Sequence, residues 1–175
     1  MTCANDHLLI IGVSGAGRAI VGRLSDEHPT EAATFRSGPT GAQSLPVARQ
    51  VVVVVGLGGH TGGLAAITEV FRAKARGAKT TVLAVLPFSF EGRLRQTRAQ
   101  ASLAALREAA DAVHVFANDD LTSAVSANES LKDAYRICDG WMWLIISDSM
   151  GEMCVSKNQF DVVPFSTEVF HEYES

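Results

Sequence analysis

The sequence predicts an α/β fold in which a parallel sheet carries helices on both faces. Short apolar runs alternate with helical patterns along the chain, the order expected of parallel strands joined by right-handed crossovers. The run Val51–Val55 consists of consecutive valines. Because β-branched residues suit strands and an unalternated apolar run indicates cover on both faces, this run predicts a buried strand. In such a sheet, ligands bind at the carboxyl ends of the strands.

The composition limits the class of protein. With 175 residues, of which 47% are hydrophobic and 19% charged, the chain fits one globular domain with a hydrophobic core. The net charge of −4 and the lack of a lysine or arginine block argue against nucleic acid as the main partner. The three cysteines lack C-x-x-C spacing, so we expect reduced thiols and no metal site. Without a leader pattern or an apolar run of about 18 residues, we expect a cytoplasmic protein with no membrane insertion.

The remaining elements follow from the local patterns. A strand at His7–Val13 leads through the turn Ser14–Gly17 into a helix at Arg18–Leu24. Ser25–Gln50 is polar and broken by proline and glycine, which predicts a long loop with at most one short strand near Ala33–Phe35. After the valines we expect a helix from Leu64 that ends near Gly77, then strand Thr80–Leu86 and helix Leu94–Ala110. Strand Ala112–Phe116 and a polar turn at Ala117–Asp120 come next. A long helix over Ser130–Met150 and a short strand at Val162–Phe165 complete the prediction.

The valine strand ends in a glycine-rich loop, GLGGHTGG, and a helical pattern follows it. A strand, a glycine loop with a threonine, and a helix N-terminus together form an arrangement that binds phosphate. Free backbone N–H groups and the positive end of the helix dipole face the anion there. Taken alone, the pattern is equally consistent with a tight strand-to-helix turn.

Two further stretches leave alternatives open. GVSGAG, at residues 12–17, is similar to the first turn of a dinucleotide-binding fold but lacks the full G-x-G-x-x-G. Because no strand that ends in an acidic residue follows about 20 residues on, we rank a nicotinamide enzyme low. The stretch WMWLIISDSM is apolar nearly all round its helix, so it is either buried or exposed for a partner.

Four blocks of sequence carry a family resemblance. GLGGHTGGLAA, LPFSFEGRLR, ANDDL and SLKDAYRICD resemble, in order and in spacing, the GTPase domain of the tubulin/FtsZ superfamily, and FtsZ more closely than eukaryotic tubulin. The resemblance covers about Leu8–Asp139 apart from the loop after the first helix. It implies a Rossmann-like, three-layer domain closed by a long core helix. Residues 1–150 would form this nucleotide-binding domain, truncated relative to the family, and 151–175 a tail that is a remnant of the region that follows.

The resemblance also implies a nucleotide site. In it, a first loop lies along the phosphates, a second loop cradles them, a Glu–Arg pair contacts the ribose, and further side chains hold the base. The matching positions in this sequence are Ser14, Gly15 and Ala16; Gly58, Gly59, His60, Thr61 and Gly62; Glu91 and Arg95; and Asn118, Tyr135 and Asp139.

Tyr135 and Asp139 lie at i and i+4, so they share one helix face. The resemblance implies that Tyr135 stacks on the base and that Asp139 accepts hydrogen bonds from the N1–H and amine of guanine. Adenine would leave that carboxylate facing unpaired groups, at a cost of about 1–3 kcal/mol. Simple alternatives exist: Tyr135 would be core packing, and Glu91 with Arg95 an i,i+4 surface pair.

The departures from the family concern both nucleotide binding and hydrolysis. His60 and Leu64 stand where the family has glycine, Ala19 replaces a guanine-contacting asparagine, and the stretch from Leu24 to Val51 is short. The His60 ring either swings out or contacts the anion, although a histidine at such a position more often only fills space. Family members continue into a further domain whose loop supplies acids to the nucleotide of the next subunit. Here Asp161 in KNQFDVV is the one candidate for that catalytic role.

We therefore expect a protein that binds GTP or GDP, with Mg²⁺ as a candidate cofactor, and hydrolyses it weakly or not at all. Such a protein would serve the cytoskeleton or cell division as a scaffold or regulator, as a homo-oligomer or with an FtsZ-like partner. One alternative is a nucleotide-free module with a vestigial site that self-associates through the apolar surface Trp141–Ile146. Another is an active GTPase whose site is completed between identical subunits.

Overall fold

The structure, a computed structural model, describes residues 8–38, 48–124 and 130–150. The expected strand Val162–Phe165, the candidate Asp161 and the whole of the 151–175 tail lie outside the described residues. Within the part that is described, the structure is a single parallel sheet with helices on both sides.

Five strands form the sheet, in the order β2-β1-β3-β4-β5, and all neighbouring pairs are parallel. Their bounds are β1 Leu8–Val13, β2 Ala33–Ser37, β3 Gln50–Gly56, β4 Lys79–Leu86 and β5 Ala112–Ala117. The helices are α1 Ser14–Glu27, α2 Gly62–Lys74, α3 Arg93–Ala109, α4 Asn118–Ala124 and α5 Leu131–Ser149, with a 3-10 turn at Ser89–Glu91.

The core is divided into two layers by the sheet. Successive residues of a strand point to opposite faces, so β3 contributes Val53 to one layer and Val54 to the other. Helices α2 and α3 cover the first face, with residues such as Val70 and Leu103, and α1, α4 and α5 cover the second. The predicted three-layer α/β architecture is therefore confirmed.

The predicted bounds of two loops are wrong. Helix α1 begins at Ser14 rather than Arg18, so the glycine-containing segment is its first turn, and it runs on to Glu27 in the predicted loop. The expected polar turn at Ala117–Asp120 is instead the end of β5 and the start of α4. Acidic side chains in the first turn of a helix are favoured by its dipole, which explains why this polar stretch starts a helix.

The long last helix was predicted with nearly correct bounds. Ser130 is its N-cap and forms a capping box with Asp133, whose N–H donates to the Ser130 hydroxyl at 3.3 Å. In the apolar stretch, Met142 and Ile146 are fully buried against the sheet, and the ring of Trp143 packs on the end of α1. Most of this surface is therefore covered by the chain itself. In the described residues, no helix is both long and apolar enough to cross a membrane.

Candidate functional site

The carboxyl ends of the strands meet at one edge of the sheet, where the predicted site residues lie. Strands β1 and β3 are neighbours, with Val13 paired to Val55, so α1 and α2 begin side by side. The first turns of these two helices contain no acidic residue. Two helix N-termini with uncompensated positive ends therefore point at the same space, which favours an anion there.

Ser14 connects the two helix starts. Its φ of 68° lies in the left-handed region, which is uncommon for a residue other than glycine. Its hydroxyl accepts hydrogen bonds from the backbone N–H of Gly56 at 3.1 Å and of Gly17 at 3.4 Å. Such strained residues persist where the surroundings hold them and cluster at functional sites. Here the strain positions the first turn of α1 against the end of β3.

The glycines at this edge fall into two groups. An added Cβ at Gly17 would overlap the carbonyl oxygen of Val54, and one at Gly62 would lie 2.8 Å from the carbonyl oxygen of Gly56. These glycines allow the helices to pack closely on the strands. At Gly15 and Gly59, an added Cβ would meet no described heavy atom within 4 Å. Packing does not explain those two, and both are exposed where a ligand would approach.

The other predicted cradle residues lie on the same two loops. Ala16 is exposed in the first turn of α1. Gly58 has a φ of 88°, as a left-handed turn requires, and is buried near Arg95. Thr61 is exposed at the N-cap of α2, and its hydroxyl makes no capping hydrogen bond to the helix. That hydroxyl is consequently not used by the helix.

The imidazole of His60 contacts the neighbouring helix α3. Its Nε2 lies 3.2 Å from Nη1 of Arg98. A guanidinium only donates hydrogen bonds, so Nε2 is the acceptor in this contact. The ring therefore contacts α3, and a contact of the same ring with an anion stays a prediction.

Glu91 and Arg95 pair with each other. One carboxylate oxygen of Glu91 accepts from the backbone N–H of Phe88 at 2.8 Å, and the other lies 2.6 Å from Nη1 of Arg95. This is the i,i+4 pair expected as the simple alternative. A contact of Glu91 or Arg95 with a ribose stays a prediction.

The start of α4 is joined to the 3-10 turn. Asn118 is half-buried at the first position of α4, and Asp119 next to it accepts from the backbone N–H of Ser89 at 2.9 Å. Burial and the charge of Asp119 raise the pKa of Asp120. Sequence reasoning missed Asp119, although an acidic residue directly after a strand end was the available signal.

Asp139 is buried and bound by Arg23 of α1, which sequence reasoning also missed. The Nε of Arg23 lies 2.5 Å from one carboxylate oxygen, and its Nη2 lies 3.0 Å from the other. The hydrogen bond to Asp139 is the largest cause that raises the pKa of Arg23. The available signal was that a carboxylate on an apolar helix requires a partner.

Tyr135 is half-buried one turn before Asp139 and packs against the core layer of α1 and α5. It also lines a groove of about 390 Å³, together with Arg23, Glu27, Lys132 and Arg136. The structure therefore places Tyr135 and Asp139 on the helix beside α1. The role of either side chain towards a base stays a prediction.

The sequence and the fold are similar to those of known proteins. The model of the tubulin/FtsZ family, GTPase domain, matches residues 40–126. An empty FtsZ dimer from M. jannaschii aligns with a TM-score of 0.66 at 23% identity, over 86% of this chain and 55% of that one.

Two further solved structures come from Haloferax volcanii. CetZ2, a GTPγS-bound protofilament, has a TM-score of 0.64 at 23% identity over 86% of this chain and 60% of its own. CetZ1, a GDP-bound monomer, has a TM-score of 0.63 at 18% identity over 86% of this chain and 62% of its own. The chain thus spans between 55% and 62% of the length of these three structures. Residues 40–126 thus match the GTPase domain of the tubulin/FtsZ family, and the chain shares its fold with FtsZ and CetZ.

Proposed function

We propose that this chain binds a guanine nucleotide at the carboxyl edge of its sheet. One observation carries the proposal: the N-termini of α1 and α2 lie side by side, with Gly15 and Gly59 open to the space before them. The phosphates would lie against these two loops, near the exposed Thr61, whose hydroxyl does not cap α2. The GTPγS-bound CetZ2 protofilament and the GDP-bound CetZ1 monomer support this choice of ligand.

The base would lie at the α5 end of the site. Asp139 would accept from the N1–H and amine of guanine, Tyr135 would pack on the ring, and Asn118 would bind at the sugar–base end. The described residues contain no group of three His, Cys, Asp or Glu side chains that could hold a metal ion. Mg²⁺ usually binds through substrate phosphates with one or two carboxylates, so the phosphates of the nucleotide would hold any Mg²⁺ here.

The biological part of the proposal goes beyond binding. Residues 1–150 would act as a nucleotide-binding domain of the cytoplasm, in a scaffold or regulator of the cytoskeleton or of cell division that self-associates. Hydrolysis by the single chain would be weak or absent. If the site is instead completed between copies, with Asp161 as the acid, GTP turnover per chain would rise with protein concentration.

A nucleotide-free interaction module is the second candidate. The observation that favours it is that Arg23 already pairs with Asp139, the carboxylate proposed to accept hydrogen bonds from the base. The surface first considered for such a module, Trp141–Ile146, is mostly packed against the rest of the chain. Binding experiments separate the two candidates.

Isothermal titration with GDP, GTP and ATP tests the proposal. We expect heat with both guanine nucleotides and none with ATP at the same concentrations. In Asp139→Asn, which keeps the size of the side chain, the preference for guanine should be lost while circular dichroism remains that of a folded protein. An absence of heat with GDP and GTP in the wild-type chain would sink the proposal.

A further inference from the structure

The pairing of Arg23 with Asp139 has the geometry of a bound ligand. Two N–H groups of one planar guanidinium, at Nε and Nη2, donate to the two oxygens of one carboxylate. The two residues are 116 positions apart and belong to different helices. This fork-to-carboxylate arrangement is among the strong, directional hydrogen-bonded pairs in proteins.

Guanine presents the same pattern of donors. Its N1–H and its exocyclic amine are adjacent, coplanar N–H donors that pair with both oxygens of a carboxylate, as a guanidinium does. One carboxylate cannot hold both groups in this way at once. We propose that Arg23 is an internal competitor of guanine, which occupies the carboxylate of Asp139 until a guanine base displaces it. This inference rests on the proposed function.

The surroundings show which partner would move. The side chain of Arg23 is 38% exposed, whereas that of Asp139 is 3% exposed. Arg23 can therefore leave without unpacking the core, while the carboxylate stays in place. Because a buried charge left without a partner is costly, Asp139 would exchange one set of donors for another and would not be left bare.

A second position for Arg23 exists beside the pair. Glu27 lies one helical turn further along α1, and its charge already acts on the guanidinium. Both side chains line the groove of about 390 Å³ between α1 and the start of α5, which leaves space for the displaced guanidinium. Arg23 would thus pair with Asp139 in the empty protein and with Glu27 in the nucleotide-bound protein.

Calorimetry on three proteins tests the proposal: the wild-type chain, Arg23→Gln and Arg136→Gln. If the internal pair is formed in about nine-tenths of molecules or more, it weakens the apparent affinity for guanine about tenfold or more. Arg23→Gln should therefore bind GDP about tenfold tighter than the wild type, with ADP unchanged. Arg136→Gln removes the same charge from the groove without touching Asp139, so it should change GDP and ADP binding equally and little.

A second measurement covers the case in which Arg23→Gln does not fold. The Nε–H resonance of Arg23 in ¹⁵N-labelled wild-type protein reports its hydrogen bond to Asp139. This resonance should move on saturation with GDP and stay in place with ADP.

The outcomes separate the two proposals. A folded Arg23→Gln that binds GDP no tighter than the wild type overturns the competitor role, as does GDP binding that leaves the Arg23 resonance unmoved. If neither the wild type nor folded Arg23→Gln binds GDP, the proposed function itself fails. Binding by Arg23→Gln alone would support the competitor role, whereas the proposal that the wild-type chain binds a guanine nucleotide would fail.

Discussion

The imidazole of His28 lies flat on the indole of Trp143, with ring centroids 4.2 Å apart and planes 3° from parallel. This stack joins the C-terminal end of α1 to α5, one turn beyond the Arg23–Asp139 pair. Phe35 of β2 lies on the same indole at 6.5 Å. The stack therefore joins both helices to the edge strand of the sheet.

The first prediction concerns pH. Burial lowers the pKa of His28, and the charge of Glu27 opposes this only in part. The unfolded chain therefore binds the proton more readily than the folded one. The contribution of neutral His28 to the free energy of unfolding should be fully present above the ordinary histidine pKa of 6.5. It should decline as the pH falls through that value towards the lower pKa of the folded state.

Urea unfolding at a series of pH values measures this effect, with His28→Phe as the matched variant. Phenylalanine keeps an aromatic ring on Trp143 and cannot titrate. The variant should lose part of the decline, and His114, whose pKa burial also lowers, should contribute to what remains. An unchanged pH profile in His28→Phe would exclude His28 as a source.

The second prediction separates the two groups of glycines by Gly17→Ala and Gly59→Ala. At Gly17 the new Cβ would overlap backbone, so we expect a loss of about 1–3 kcal/mol in the free energy of unfolding. At Gly59 the space is open, so the free energy of unfolding should stay within about 0.5 kcal/mol. Affinity for GDP should nevertheless fall about tenfold, or about 1.4 kcal/mol, because the methyl group lies where phosphate would approach.

Chemical denaturation and calorimetry on the same two variants measure both quantities. Gly22→Ala, where a Cβ also meets no described atom within 4 Å, serves as a control away from the cradle; it should stabilise α1 by about 0.5–1 kcal/mol and leave GDP binding unchanged. Equal GDP affinity in Gly59→Ala and the wild type would contradict the position assigned to the phosphates.

The third prediction concerns Asp111, at the opposite edge of the sheet. The backbone N–H of Thr80, then Lys74 and the hydroxyl of Thr80, lower the pKa of its carboxyl from 3.8 to about 2. Because the folded pKa is the lower one, this stabilisation is present above pH 3.8 and is lost as the pH falls to about 2.

Asp111→Asn should destabilise the protein by about 1 kcal/mol at neutral pH, since the side chain is partly exposed and its ion pair is screened. The difference from the wild type should shrink as the pH falls through the same window. Acid titrations of both proteins by circular dichroism measure this. A difference that stays constant down to pH 2 would argue against the carboxylate as its origin.

Several features of the fold were accessible from local sequence. The valines of β3 could be assigned to a buried strand because β-branched residues disfavour other local structures, and the alternation of strands and helices implied a parallel sheet. Since parallel strands end at one edge, Gly15, Gly59 and Asn118 could be assigned to the same edge from the sequence alone. The end of α2 near Gly77, with its φ of 78°, was also a local prediction.

The start of α1 was not accessible in this way. The positive φ of Ser14 is held by the N–H of Gly56, 42 residues later, and no local pattern signals a contact over that separation. The strand at Ala33–Ser37 was likewise understated, because a short polar strand forms only where a neighbouring strand supplies its hydrogen bonds. The helix at Asn118–Ala124 was missed because a helix this short is stable only when the rest of the chain packs against it.

The sequence by itself determined the sheet, the glycine loops and the family resemblance, since these depend on residue type and on spacing along the chain. Only the tertiary structure decided which glycines serve packing, where the ring of His60 lies, and that Arg23 holds Asp139. Those relationships join segments that are distant in sequence. They arise because a buried carboxylate or a close backbone approach must find its partner among the groups that folding brings near it.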